Sequence, residues 1–71
     1  MERRTHFAAN TINIDGTIVR NGVVTVANAL VESYAPLYEE QANTIWLGGE
    51  IVIKKHANGQ LQAFHKGELL R

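Results

Sequence analysis

The chain has 71 residues, 45% of them hydrophobic and 20% charged, with seven basic residues set against seven acidic ones. This is ordinary globular composition for one small domain spanning residues 1–71, and it excludes a disordered chain. The absence of cysteine excludes a disulfide-stapled scaffold and any Cys-ligated metal centre, and the zero net charge removes the usual electrostatic argument for nucleic acid or an anionic membrane as partner.

The N-terminal Met1-Glu2-Arg3-Arg4 has charge but no apolar segment behind it, and apolar runs stay far below the ~20 residues of a membrane helix. A cytoplasmic protein is the expectation. From there the turn signals organise the reading. Asp15-Gly16, Asn21-Gly22 and Asn58-Gly59 are each the dipeptide favoured in two-residue hairpin loops, where both central residues take positive φ. Pairing around Asp15-Gly16 sets Ile14 opposite Thr17 and Ile12 opposite Val19. A second two-residue turn at Asn21-Gly22 would set Val19 opposite Val24 and Thr17 opposite Val26. Both hairpins then place Ile12, Ile14, Val19, Val24 and Val26 on one side of a three-stranded meander, with Thr11, Asn13, Arg20, Thr25, Ile18 and Val23 on the other.

Ala27, Leu30, Val31 and Tyr34 have helical spacing, but the segment is short and ends at Pro36. A strand from about Ala29 to Ala35, after a tight turn at Ala27-Asn28, is favoured, with a helix over Ala27–Tyr34 as the alternative. Pro36 to Glu40 reads as a loop or a single helical turn. Thr44 to Leu47 reads as a strand, and Gly48-Gly49 as a bulge or bend. Around Asn58-Gly59 a two-residue loop pairs His56 with Leu61, Lys54 with Ala63, Ile53 with Phe64 and Val52 with His65. That register puts Ile51, Ile53 and Phe64 in the core. Val52, Lys54, His56, Leu61, Ala63 and His65 fall on the opposite face.

No arrangement for catalysis emerges. His56 and His65 fall more than ~13 Å apart along their hairpin at ~3.3 Å per residue, too far for one metal ion, and His6 could join only one of them. Ser33 lacks a nucleophile elbow, Glu39 and Glu40 are adjacent rather than facing, and Gly48-Gly49 lacks the rest of a phosphate loop. Residues 50–71 carry four basic residues against two acids, so Lys54, Lys55, Lys66 and Arg71 make a small basic excess. Trp46, Phe64, Tyr34 and Tyr38 read as core packing rather than as a stacking platform for single strands. No metal, cofactor or catalytic residue is expected.

The run Asp15-Gly16-Thr17-Ile18-Val19-Arg20-Asn21-Gly22-Val23-Val24-Thr25-Val26, continuing to Ala35-Pro36, resembles the N-terminal β-strand segment of metal-dependent amidohydrolases of the dihydroorotase and chlorohydrolase type. Thr44-Ile45-Trp46-Leu47-Gly48-Gly49 sits where those enzymes reach the first strand of their catalytic barrel. The likeness covers about forty residues of strand and turn pattern. It departs at the chemistry: Gly49 is followed by Glu50-Ile51-Val52-Ile53-Lys54-Lys55-His56, without the family's His-x-His metal pair, and the barrel is missing. The resemblance implies a small β-sandwich piece, for which Glu50 to Lys66 could supply the closing hairpin, and carries over no catalytic residue.

The expected fold is therefore all-β: a mostly antiparallel meander of six or seven short strands forming a sandwich or partly open barrel. The expected function is a non-enzymatic structural or protein-interaction module, with Ile18, Val23, Val52, Lys54, His56, Leu61 and His65 as the interaction surface. The alternative is an accessory or vestigial β-sandwich subunit of an amidohydrolase-like enzyme, and nucleic-acid binding is the weaker one. Self-association through the second-face apolar residues is also expected to be open to such a domain.

Overall fold

A computed structural model of the chain describes residues 4–36 and 44–71. Seven strands form one mixed, unclosed sheet: β1 (Arg4–Ile14), β2 (Thr17–Ala27), β3 (Leu30–Pro36), β4 (Thr44–Trp46), β5 (Glu50–Lys55), β6 (Leu61–His65) and β7 (Glu68–Leu69). The order is β3-β2-β1-β5-β6-β7, with β4 also beside β1. The all-β class is as read from the sequence, and the favoured strand ending at Pro36 replaces the helical alternative. The expected loop or turn over Pro36 to Glu40 lies, beyond Pro36, outside the described residues.

The first hairpin follows its turn chemistry. Asp15 and Gly16 take φ of 50° and 86°, Ile14 pairs with Thr17, and Asn13 Oδ1 accepts a hydrogen bond from the Gly16 N–H at 2.9 Å. Asn21-Gly22 does not form a second turn. Asn21 alone takes a positive φ, 51°, and β2 continues through it to Ala27, paired with β1 on both sides of Asn21. Thus Val19 faces Ile12 and Val24 faces Phe7; the Val19–Val24 and Thr17–Val26 pairs do not exist.

The inward set nevertheless holds. Phe7 and Ala9 point into the core before the break and Ile12 and Ile14 after it; on β2, Val24 and Val26 do so before and Val19 after. In chain order the inward positions switch from odd to even along β1 and likewise along β2, while the register on either side stays Ala9–Gly22 and Thr11–Arg20. Each strand therefore carries one extra residue there, Asn10 and Asn21, a pair of facing bulges. Bulges bend strands and deepen twist, and these curl two 11-residue strands so that β3 comes close to β6 on the far side of the core. The result is a partly open barrel, with β1 at its centre.

The C-terminal strands join β1 by parallel pairing, which a pure meander lacks. Thr11 to Ile14 pair in parallel with Glu50 to Ile53, and His6 to Ala8 with Thr44 to Trp46. Between β4 and β5, Gly48 and Gly49 both adopt positive φ, at 71° and 60°, which lets the chain step around Ala9–Asn10 and resume pairing. The Leu47 N–H donates to the Ala8 carbonyl at 2.8 Å before this bulge, and the Thr11 N–H to the Gly49 carbonyl at 3.0 Å after it. Ile12, Ile51, Val24 and Val26 are the largest fully buried side chains.

The last hairpin is shifted by one residue from the sequence reading. Its loop has three residues, not two: the Gly59 N–H donates to the His56 carbonyl, Gly59 alone takes φ of 86°, and the His56 N–H donates to the Gln60 carbonyl. This is a type I turn followed by a glycine bulge, the next most favoured hairpin after the two-residue form. The pairs become Lys55–Leu61, Lys54–Gln62, Ile53–Ala63, Val52–Phe64 and Ile51–His65. A one-residue slip exchanges the faces of β6, so Ala63 is buried, Leu61 packs on the core, and Phe64 moves to the outside. A further turn at Lys66-Gly67, φ 52° and 81°, adds β7.

The β2–β3 turn contains a residue out of place. Asn28 and Ala29 take φ of 53° and 64°, and Ala29 gains nothing from the left-handed region that glycine enters freely. A β-carbon there costs about 1–2 kcal/mol, partly offset by the lower unfolded-state entropy of alanine. Ala29→Gly is expected to stabilise the domain by about 0.5–1 kcal/mol, raising Tm by roughly 2–8 °C. A thermal melt showing no rise would contradict the turn geometry.

Candidate interaction surface

The outward face of the curled sheet carries a row of half-exposed apolar side chains. Asn13 pairs with Ile18 on one side and Val52 on the other, Val52 with Phe64, and Phe64 with Leu69. Ile18, Val52, Phe64 and Leu69 thus lie on four strands at one level, broken only by Asn13. Ile18 is 49% exposed, and the other three are half-buried. The Lys54 ammonium sits 5.2 Å from the centre of the Phe64 ring. Such a cation–π contact contributes about 0.5–1 kcal/mol at an exposed site. It fixes a positive charge at the border of the row.

Of the seven residues singled out from the sequence, Ile18, Val52 and Lys54 gather here, with His56 beyond Lys54. His56 hydrogen-bonds Gln62, whose backbone pairs with Lys54. Val23 shares the outward face, but it lies beside Ala8 toward the other end of β2 and is buried. Leu61 and His65 are on the inward side by the corrected register. His65 Nε2 lies 3.2 Å from the Gly48 carbonyl, where it braces the glycine bulge. The sequence reading placed His56 and His65 on one face; they occupy opposite faces. The third histidine, His6, bonds Thr25 Oγ1 through Nδ1 at 2.8 Å. Among the described residues no three His, Asp or Glu side chains come together as a metal-holding set.

Phe64 and Leu69 were missed as surface residues, the first because of the register and the second because the Lys66-Gly67 turn went unread. Ile45 and Trp46, 48% and 56% exposed, were also missed. An alternation count over a three-residue strand is too short to say which side faces water. At the open end of the barrel, Ile14, Ile53 and Leu61 from the inward side and Val52 and Lys54 from the outward row line a wide cleft of about 780 Å³, with the exposed Asp15, Lys55 and Tyr34 at its rim. The basic residues are dispersed: Lys54 outside, Lys55 at this rim, and Lys66 in the turn at the other end of β6. No helix among the described residues is long and apolar enough to cross a membrane. No family model, curated protein or solved structure matches the chain.

Proposed function

We propose that the chain is a non-enzymatic β module that works by binding a protein partner through its outward face. The observation that carries this reading is the Ile18–Val52–Phe64–Leu69 row, which spans four strands and stays accessible on the face opposite the core of Ile12, Ile51, Val24 and Val26. Its chemistry selects a matching apolar surface, with an acidic group placed over Lys54. Aromatic and aliphatic anchors in a rigid sheet lose little conformational entropy on binding.

The test compares the chain with Ile18→Glu as immobilised bait, since Ile18 is exposed and the substitution should cost the fold less than about 0.5 kcal/mol. Proteins retained by the parent chain and lost from the variant, identified by mass spectrometry, are the expected result. Identical captured sets, or metal-dependent amidase turnover by the isolated chain, would overturn it.

A second reading is an accessory β-sandwich subunit of an amidohydrolase-like enzyme. What supports it is the way β5 and β6 complete the sheet against β1, the role that strands from the other end of the chain fill in those enzymes. Co-purification with a barrel-type hydrolase at fixed stoichiometry would favour it over a free-standing module. Nucleic-acid binding is the weakest alternative, since its lysines are spread over both faces and both ends of the last hairpin. Oligonucleotide titrations without a salt-dependent shift would dispose of it.

A further inference from the structure

The surface that the Ile18–Val52–Phe64–Leu69 row selects, an apolar patch with an acidic group over Lys54, is one that the chain itself carries. Ile51 and Ile53 are buried, so the outward positions of β5 are Glu50, Val52 and Lys54. The row is thus flanked on β5 by an acid on one side and a base on the other. Toward β2 the order of charge is reversed. Arg20 is level with Glu50, through the Arg20–Thr11 and Thr11–Glu50 pairs. Asp15, in the first turn, follows the Ile14–Ile53 pair and comes level with Lys54. All four charged residues are exposed, and among the described residues none of them is paired with an opposite charge.

We infer that the outward face pairs with itself: its occupant is a second copy of this chain, stacked face to face about a twofold axis that runs along the row. This names the partner of the proposed interaction surface and rests on that reading. Such an axis lays Val52 on Val52 and Phe64 on Phe64 of the other copy, and it reverses the strand direction. Reversal exchanges the two flanks, so Glu50 of each copy meets Lys54 of the other, and Arg20 meets Asp15. Four ion pairs then border an apolar centre. Asn13, the polar break in the row, meets its own copy, where two side-chain amides satisfy each other. A twofold parallel to β5 through Val52 would instead set Glu50 on Glu50 and Lys54 on Lys54, and like charges so placed repel. One parallel to β1 through Asn13 leaves Phe64 and Leu69 uncovered.

The molecule is flattened, 33 × 33 × 19 Å, so this face is broad. Five strands ~4.8 Å apart, with three outward levels ~6.8 Å apart, make a patch of roughly 24 by 20 Å. Two such patches bury on the order of 1,000 Å² in total, at the low end for a specific interface, which sets the dimer at micromolar affinity.

The test is a charge exchange read by sedimentation equilibrium. Between about 10 and 300 µM the parent chain should pass from monomer to dimer, from 7.9 kDa to twice that mass. Glu50→Lys and Lys54→Glu each set like charges face to face, and each alone should weaken dimerisation at least tenfold. Mixed in equal amounts, the two variants should dimerise again, because each supplies the charge the other lacks. A chain carrying both substitutions should dimerise by itself. Both positions are exposed, where substitution leaves the fold intact, and recovery on mixing shows that neither variant is misfolded. A parent chain that stays at 7.9 kDa throughout would overturn the inference, while the capture comparison with Ile18→Glu would still decide whether the face binds another protein. A dimer indifferent to either substitution would overturn it too, as would single variants that stay monomeric both when mixed and when combined in one chain.

Discussion

Ile51→Ala is expected to remove about 3–5 kcal/mol of stability, the upper part of the range for emptying a fully buried isoleucine site. Ile51 is completely buried and pairs with Ile12, itself completely buried, across the β1–β5 junction. That junction is where the C-terminal hairpin joins the N-terminal three strands, and the truncation opens a cavity between parallel strands that cannot easily collapse. A domain of this length has roughly 4–10 kcal/mol in total, so the variant should be largely unfolded at 37 °C or lose half its urea midpoint. Val52→Ala, the next residue and on the outward face, should cost under about 1 kcal/mol. A cost for Ile51→Ala no larger than that of Val52→Ala would mean that this junction is not the centre of the core.

How far the sequence could be read depends on which turn was at stake. Asp15-Gly16 was legible because both residues take the positive φ their types favour, and the pairing it dictates is the one observed. Asn21-Gly22 has the same letters and a different outcome. The segments on its two sides are not hairpin partners, because both pair with β1, which is long enough to receive them. Only Asn21 needs positive φ there, and Asn10 answers it on the opposite strand. A turn and a facing pair of bulges both reverse the inward parity, so the core assignment survived the wrong topology. The last hairpin shows the reverse failure. Two- and three-residue loops share Asn-Gly as a signal, and choosing the shorter one turned Phe64 inward, when it lies outside beneath Lys54.

The candidate surface inherits these errors in proportion. Ile18, Val52 and Lys54 do lie on the outward face assigned to them, because the alternation along β2 and β5 was read in the right phase. Leu61 and His65 were misplaced by the slip of β6. Parallel contacts of β1 with β4 and β5 were out of reach for a different reason: the alternation of short strands does not say which of them become neighbours. The exposure of Ile45 and Trp46 follows from that topology, and no periodicity in the sequence announces it.

Gly22→Ala is expected to destabilise the domain by about 1–3 kcal/mol, although φ at Gly22 is outside the left-handed region and alanine ordinarily costs nothing in a strand. The obstacle is space. A β-carbon on Gly22 would overlap Ile12 Cδ1 and sit 2.8 Å from Ile12 Cγ1, with the Ala35 carbonyl oxygen 3.5 Å away on the third strand. Ile12 has no free volume to retreat into, being completely buried against Ile51 and its neighbours. The glycine is thus required where the paired bulges bring β2 down onto Ile12, the first inward side chain after Asn10 on β1. Ile12→Val supplies the control, because it deletes Cδ1 at a cost of about 0.5–1.5 kcal/mol. In that background Gly22→Ala should cost markedly less than in the parent chain, a coupling of at least about 0.5 kcal/mol that independent sites do not show. Urea titrations of the two single variants and the double variant measure it. Strict additivity would mean that Ile12 does not fill the space above Gly22, and the curvature assigned to the Asn10–Asn21 bulges would lose its main support.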